Sequence, residues 1–131
     1  MAALTKVSPQ PPATIALPPC NKLSEKMIAG EAIGLLDACY IKSDGLVWLA
    51  TGSAANAAAR VRGFAIRAAA VGEPVTLAWG FVSQYGSGLT IGADYYLSAT
   101  AGALDTAATT GGTAPIAFAV DATRVQFLCT K

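Results

Sequence analysis

From Gly30 onward, apolar residues come in short β-branched and aromatic runs broken by Gly, Asp or Ser. That texture predicts short strands joined by tight turns. In "ACYIKSDGLVWLA" (Ala38–Ala50), two apolar runs, Cys39–Ile41 and Leu46–Leu49, flank Ser43-Asp44-Gly45. Asp-Gly between apolar runs predicts a hairpin, because the tight turn needs a positive φ that Gly adopts without a Cβ clash. "RVRGFAIRA" (Arg60–Ala68) alternates and reads as a strand. Gly72–Gly86 reads as one long strand, or as two with a bend at Gly80, and Pro74 suits a strand's first residue or an edge. A second hairpin is predicted over Ala93–Ala107, turning at Ala101-Gly102. Two more strands are predicted over Ala114–Thr130, joined around Asp121-Ala122. "SAANAAARV" (Ser53–Val61) breaks the pattern. Ala favours helix, but the run is too short to stand alone. It is expected to form a helical turn or loop, capped by Ser53, across one end of the barrel.

The pattern also repeats. "FAIRA" (Phe64–Ala68) and "FAVDA" (Phe118–Ala122) share an order of Phe, Ala, β-branched residue, charge and Ala. Aligning Tyr40-Ile41 with Tyr96-Leu97 extends the match. Each half runs from a tyrosine-bearing strand to a Gly turn, a second strand, an Ala/Thr/Gly-rich loop and then the Phe-Ala strand. Two copies are too few for a solenoid. The expectation is two similar three-stranded β units that close on each other and so remove their open edges. Phe64 and Phe118 should then fill the core from related positions, with Arg67 and Asp121 outward.

The first 22 residues read differently. Ser8–Lys22 holds five of the seven prolines. Proline fixes φ, denies an N–H to a ladder and pushes the preceding residue into extended geometry. Met1–Lys22 is expected to be an extended arm outside the core, ahead of a single β domain at 23–131. Its apolar residues Leu4, Val7, Ile15 and Leu17 are not spaced to pack on one another, and they suit a segment that orders on a partner's surface.

Composition narrows the chemistry. The 131 residues are only 13% charged, with a formal net charge of +1 and no His. A near-neutral chain offers no electrostatic footprint for nucleic acid or an anionic membrane surface. No window approaches 18 apolar residues, so no spanning helix is expected, and the start of the chain carries no secretory pattern. Without His, the commonest general base and metal ligand are missing, and no Ser-His-Asp or Cys-His set can form. The acids are scattered and suit turns. "GSGLTIG" (Gly86–Gly92) lacks the spacing of a phosphate loop. No enzyme activity, cofactor or metal is expected. Cys20, Cys39 and Cys129 have no CxxC spacing; they read as three free thiols, with one bridge plus a spare thiol as the alternative. Arg60 and Arg62 share a strand face, with Arg67 on the other, and could meet an acidic patch on a partner. Trp48 and Trp79 sit in strands, suited to a core or to anchoring an interface.

"GEAIGLLDACYIKSDGLVWLA" followed by "RVRGFAIRAAAVGEPVTLAWGFV" resembles a pattern in capsid decoration (cement) proteins of tailed bacteriophages. The stretches that carry the resemblance are Gly30–Ile33, Tyr40–Trp48, Val61–Ile66 and Gly72–Val82, with Gly88–Leu104 in the same style. The resemblance implies a non-enzymatic β-barrel or β-tulip-like domain on the outer surface of the virion, made in the host cytoplasm. It implies a homo-oligomer, with a trimer favoured, whose arm contacts the major capsid protein. The alternative is a head- or tail-fibre module that binds a host surface glycan or protein. That module would use Trp48, Trp79 or the Tyr85/Tyr95/Tyr96 group as exposed platforms.

Overall fold

Ten short strands carry the fold of the computed structural model, which describes Ala3, Leu4, Lys6, Lys22, Leu23 and residues 27–128. The first half holds β1 (Lys22–Leu23), β2 (Ala38–Ile41), β3 (Val47–Leu49), β4 (Gly63–Ala65) and β5 (Leu77–Ala78). The second holds β6 (Phe81–Gln84), β7 (Asp94–Leu97), β8 (Leu104–Asp105), β9 (Ala117–Ala119) and β10 (Arg124–Phe127). Apart from one 3-10 turn at Ala57–Ala59, the regular structure among the described residues is all β. The turn is capped by Asn56, whose Oδ1 accepts from Ala58 N–H at 3.0 Å, and not by Ser53 as expected.

The two halves form separate sheets, ordered β1-β5-β4-β2-β3 and β6-β10-β9-β7-β8, with every pair antiparallel. Counted within each half, both orders are 1-5-4-2-3, so the repeat read from the sequence is present as topology. The units are five-stranded where three strands were expected. Register agrees as well: Phe64 pairs with Ala38 and Phe118 with Asp94, the opening residues of equivalent strands. The bend expected at Gly80 is real, with φ +74, and it marks where the chain passes from one sheet to the other. The Asp44-Gly45 turn has Gly45 at φ +84 and joins β2 to β3.

A single closed barrel was one expectation, but among the described residues each ladder stays open. Edges are covered by short segments instead. Gly30 N–H donates to Val47 O and Val47 N–H to Ile28 O, covering the outer edge of β3. Ala3 bridges Asp105, and Leu4 N–H donates to Leu104 O at 2.9 Å along β8. Pairing an edge strand removes the unsatisfied row that would recruit another chain.

Packing uses opposite faces of the two sheets. Ala38, Phe64 and Ala78, on one face of the first sheet, join the main core with Tyr95, Leu97, Leu104, Ala117, Ala119, Val125 and Phe127 of the second. Phe127 is its centre, with ring centroids 4.6 Å from Phe64, 4.9 Å from Phe81 and 5.9 Å from Tyr85. The other face of the first sheet, with Cys39, Val47, Ala65 and Leu77, has a smaller core of its own, closed by Ala29, Ile33, Ala69 and Val75. The matching row of the second sheet is where the expectation fails. Phe118 is half-buried on the outer face while Ala117 and Ala119 point inward. The sheets stack front to back, so equivalent positions cannot both face the shared core.

Candidate functional site

The β3–β4 loop and the β8–β9 loop, equivalent in the repeat, meet at one end of the molecule. Gly111 N–H donates to Gly52 O at 2.9 Å, and Gly52 N–H to Ser98 O at 2.8 Å. A Cβ at Gly52 would sit 2.3 Å from Thr109 Oγ1, and one at Gly111 would sit 2.4 Å from Ala54 O. Only glycine permits so close a backbone approach. The "TGS" and "TTGG" stretches are the sequence signal of this junction, although their meeting in space was not anticipated.

Beside the junction lies a cleft of about 810 Å3. One wall is the segment from Ala55 to Arg62, the other Gly111 to Ile116, with Ile41 and Leu97 between them. Val61, Leu97 and Ile116 give it an apolar floor, and Arg60, Arg62 and Asn56 give it a polar rim. The structure lines one cleft with both Arg60 and Arg62 and leaves Arg67 outside it, but the expected strand alternation is not the cause: Arg60 closes the 3-10 turn, β4 begins only at Gly63, and Val61 lines the same cleft. Asn56 and the 111–116 wall were not foreseen.

The outer face of the second sheet is the other candidate surface. Across it runs the register Val82, Gln126, Phe118, Asp94. Asp94 is exposed, Val82 is 37% exposed, and Gln126 and Phe118 are half-buried, as is Tyr96 next along β7. The polar neighbours Asp94 and Gln126 were a readable sign that Phe118 points away from the core.

Other predicted residues are placed as follows. Trp48 is half-buried and already in contact with neighbours. Lys42 Nζ lies 4.3 Å from its ring centroid, and a Cβ on Gly30 would meet the ring at 2.5 Å. Its indole N–H faces the Asp44 carboxylate at 3.3 Å. Trp79 is half-buried just before the Gly80 bend. Tyr85 and Tyr95 are buried, which corrects the expectation that they are exposed platforms: the second sheet turns them into the main core. Leu4, expected on a free arm, packs against that core, and Lys6 makes an ion pair with Asp37 and donates to Leu35 O at 2.7 Å. Val7, Ile15 and Leu17 lie outside the described residues, as do Cys20 and Cys129. Cys39 is a free, buried thiol; burial, then the Asp37 charge, push its pKa up. No group of acids and thiols suited to a metal ion occurs among the described residues, and no helix there is long and apolar enough to cross a membrane.

Compared with known proteins, the chain matches no family model and no curated protein.

Proposed function

We propose that this chain is a non-enzymatic capsid decoration protein. In this reading it binds the outer surface of a tailed-phage head and stabilises contacts between major capsid protein subunits, as a homo-oligomer with a trimer favoured. The observation that carries the proposal is the front of the second sheet, which no described residues cover as the second sheet covers the first. Its first-half equivalent, the row through Ala38, Phe64 and Ala78, is fully buried against a second sheet. The same row in the second half presents Phe118 and Val82 outward with Tyr96 beside them. Large aromatic side chains rimmed by polar groups are what interfaces use as anchors. The resemblance of Gly30–Ile33, Tyr40–Trp48, Val61–Ile66 and Gly72–Val82 to decoration proteins supplies the class of partner.

Mechanistically, the face buries apolar area against coat protein at roughly 25 cal/mol per Å2, from which the cost of association is subtracted. Many copies act together, so each joint needs only a small surplus to raise the free energy of pulling subunits apart. The glycan-binding reading draws less support, since Tyr85 and Tyr95 are internal and the Trp48 ring is already in contact with Lys42 and Gly30.

The test is cosedimentation with expanded heads of the phage that encodes the chain. Phe118→Asp should weaken binding at least about tenfold, as loss of an anchor does, while the variant remains folded. Binding that is unchanged by Phe118→Asp and Val82→Asp together overturns the role of this face. Heads that bind no wild-type protein overturn the decoration reading itself.

A further inference from the structure

We infer that the loop cleft is a docking groove for an extended protein segment carrying carboxylate side chains between apolar ones. The charges point that way first. Lys6 is paired with Asp37, Arg124 with Asp121, and Lys42 lies over Trp48. Among the described residues, Arg60 and Arg62 have no ion pair or hydrogen bond from their guanidinium groups, and no Asp or Glu lines the cleft. Two cations lining one cleft with no counter-charge among its described residues favour an anionic occupant. Arginine's fixed fork of donors matches a carboxylate with two parallel bonds. Asn56 adds a third donor. Its Oδ1 is committed to Ala58 N–H, which leaves the amide Nδ2 as the group available to a ligand.

The shape and floor select the occupant. The cleft opens to solvent along the seam between two loops, which suits a segment lying along it better than a molecule that must be enclosed. A chain segment can lie along the seam, with apolar side chains on the accessible lining residues Ile41, Ala59 and Pro115 and acidic ones at the rim. Nucleic acid fits poorly: its backbone needs a track of cations, whereas the net charge here is +1 and two cations line the groove among the described residues. The chain's own first 22 residues contain no Asp or Glu, so they supply no matching charge. The groove is also pre-organised. The Gly111–Gly52 bond, and Thr109 Oγ1 donating to Leu97 O at 2.7 Å, fix the two walls relative to each other. Little ordering cost then remains to be met on binding. Which protein the segment belongs to rests on the decoration reading; the chemistry of the groove does not.

The probe is a synthetic blocked peptide, Val-Asp-Val-Glu-Val, titrated into the full-length 15N-labelled protein. Its control is the uncharged Val-Asn-Val-Gln-Val. Saturable shifts at Asn56, Arg60, Arg62, Thr113 and Ala114 are expected. Affinity should fall about fivefold or more with the uncharged peptide, with 0.5 M salt, and in the double variant R60A/R62A, the scale expected for exposed ion pairs. Both arginines are exposed, so the variant should keep the wild-type melting temperature. Shifts that are absent from the cleft, or equal for the two peptides, overturn the inference. Head binding separates the two readings. If wild type binds heads and R60E/R62E does so equally well, the coat segment is not the occupant, although the decoration reading survives. If no head binding occurs but the acidic peptide still shifts the cleft, the groove stands and the decoration reading falls.

Discussion

The two halves of this chain share strand order, strand direction and register, yet the same row of the sheet is sealed in one and open in the other. In the first half the row is Lys22, Ala78, Phe64, Ala38, with the last three wholly buried. In the second it is Val82, Gln126, Phe118, Asp94, none of them fully buried. Topology therefore does not decide which face of a sheet becomes core. What decides it is the neighbour. Front-to-back stacking gives the first sheet a partner on its front and obliges its back to find another cover, which residues 27–34 and 69–75 provide. Among the described residues, the front of the second sheet has no equivalent cover. The sequence has adjusted to this: Ala38 and Ala78 are replaced at the equivalent positions by Asp94 and Gln126, while the aromatic stays.

Truncating the two equivalent phenylalanines should break the equivalence most visibly. Phe64→Ala removes a ring packed at 4.6 Å on Phe127 and leaves a cavity between the sheets, at a cost of about 3–5 kcal/mol. Phe118→Ala acts on a half-exposed face and should cost less than about 1 kcal/mol in the isolated protein. Urea unfolding followed by tryptophan fluorescence measures both. Equal losses would mean that the two faces are not differently covered.

Much of this architecture was legible. The Asp44-Gly45 and Ala101-Gly102 turns, the bend at Gly80 and the FAIRA/FAVDA pairing follow from local rules, because turn chemistry and strand alternation act over a few residues. The inward or outward sense of Phe118 was not, because it depends on which sheet lies opposite, a contact between residues far apart in sequence. The polar residues beside Phe118 carried the answer, but reading them requires the register across four strands. The candidate cleft was half legible. That Arg60 and Arg62 act on one side was readable, although they precede β4 and do not alternate within it, while the 111–116 wall comes from the other half of the chain. Leu4 was misplaced for a similar reason: its spacing gives it no local partner, and its actual partners are in the main core.

Smaller effects sharpen the contrast at positions next to the phenylalanines. Gly63 and Ala117 occupy equivalent places in β4 and β9. A Cβ at Gly63 would lie 2.9 Å from Leu77 Cβ and 3.3 Å from the Ala78 backbone. Gly63→Ala should therefore cost about 1–3 kcal/mol through overpacking, although Ala is the resident residue at the matching site. A neutral result by thermal melting would show that the β4–β5 spacing relaxes. The next position is pH-sensitive. Cys39, in the small core, and Tyr85, in the main core, both have pKa values raised by burial. For each, the folded state keeps a proton that the unfolded chain has lost at high pH. Their contribution to stability is complete below the ordinary thiol and phenol range and declines as pH rises through it, from about pH 8.5 upward. The melting temperature should fall across that range, and Cys39→Ala should flatten the thiol's share of the slope. In the same experiment, alkylation mapped by mass spectrometry should leave Cys39 unmodified in the folded protein.

The smallest expected effect lies where the two motifs differ in sign, at Arg67 and Asp121. Arg67 is exposed, with no ion pair or hydrogen bond from its side chain among the described residues. Asp121 organises the turn between β9 and β10. Its carboxylate accepts from Thr123 N–H at 2.9 Å, from Arg124 Nε at 2.6 Å and from Arg124 N–H at 2.7 Å. These bonds favour the ionised form and hold its pKa well below the usual carboxylate range. A depressed folded-state pKa gives stability that is present above the unfolded value, near pH 4, and lost as pH falls through the folded one. Asp121→Asn should therefore lower the melting temperature slightly at pH 7, with the difference from wild type shrinking as the buffer is taken down to pH 2. Arg67→Ala should change neither value. A difference that does not shrink at all between pH 5 and pH 2 would assign the effect to the shape of the turn instead of its charge.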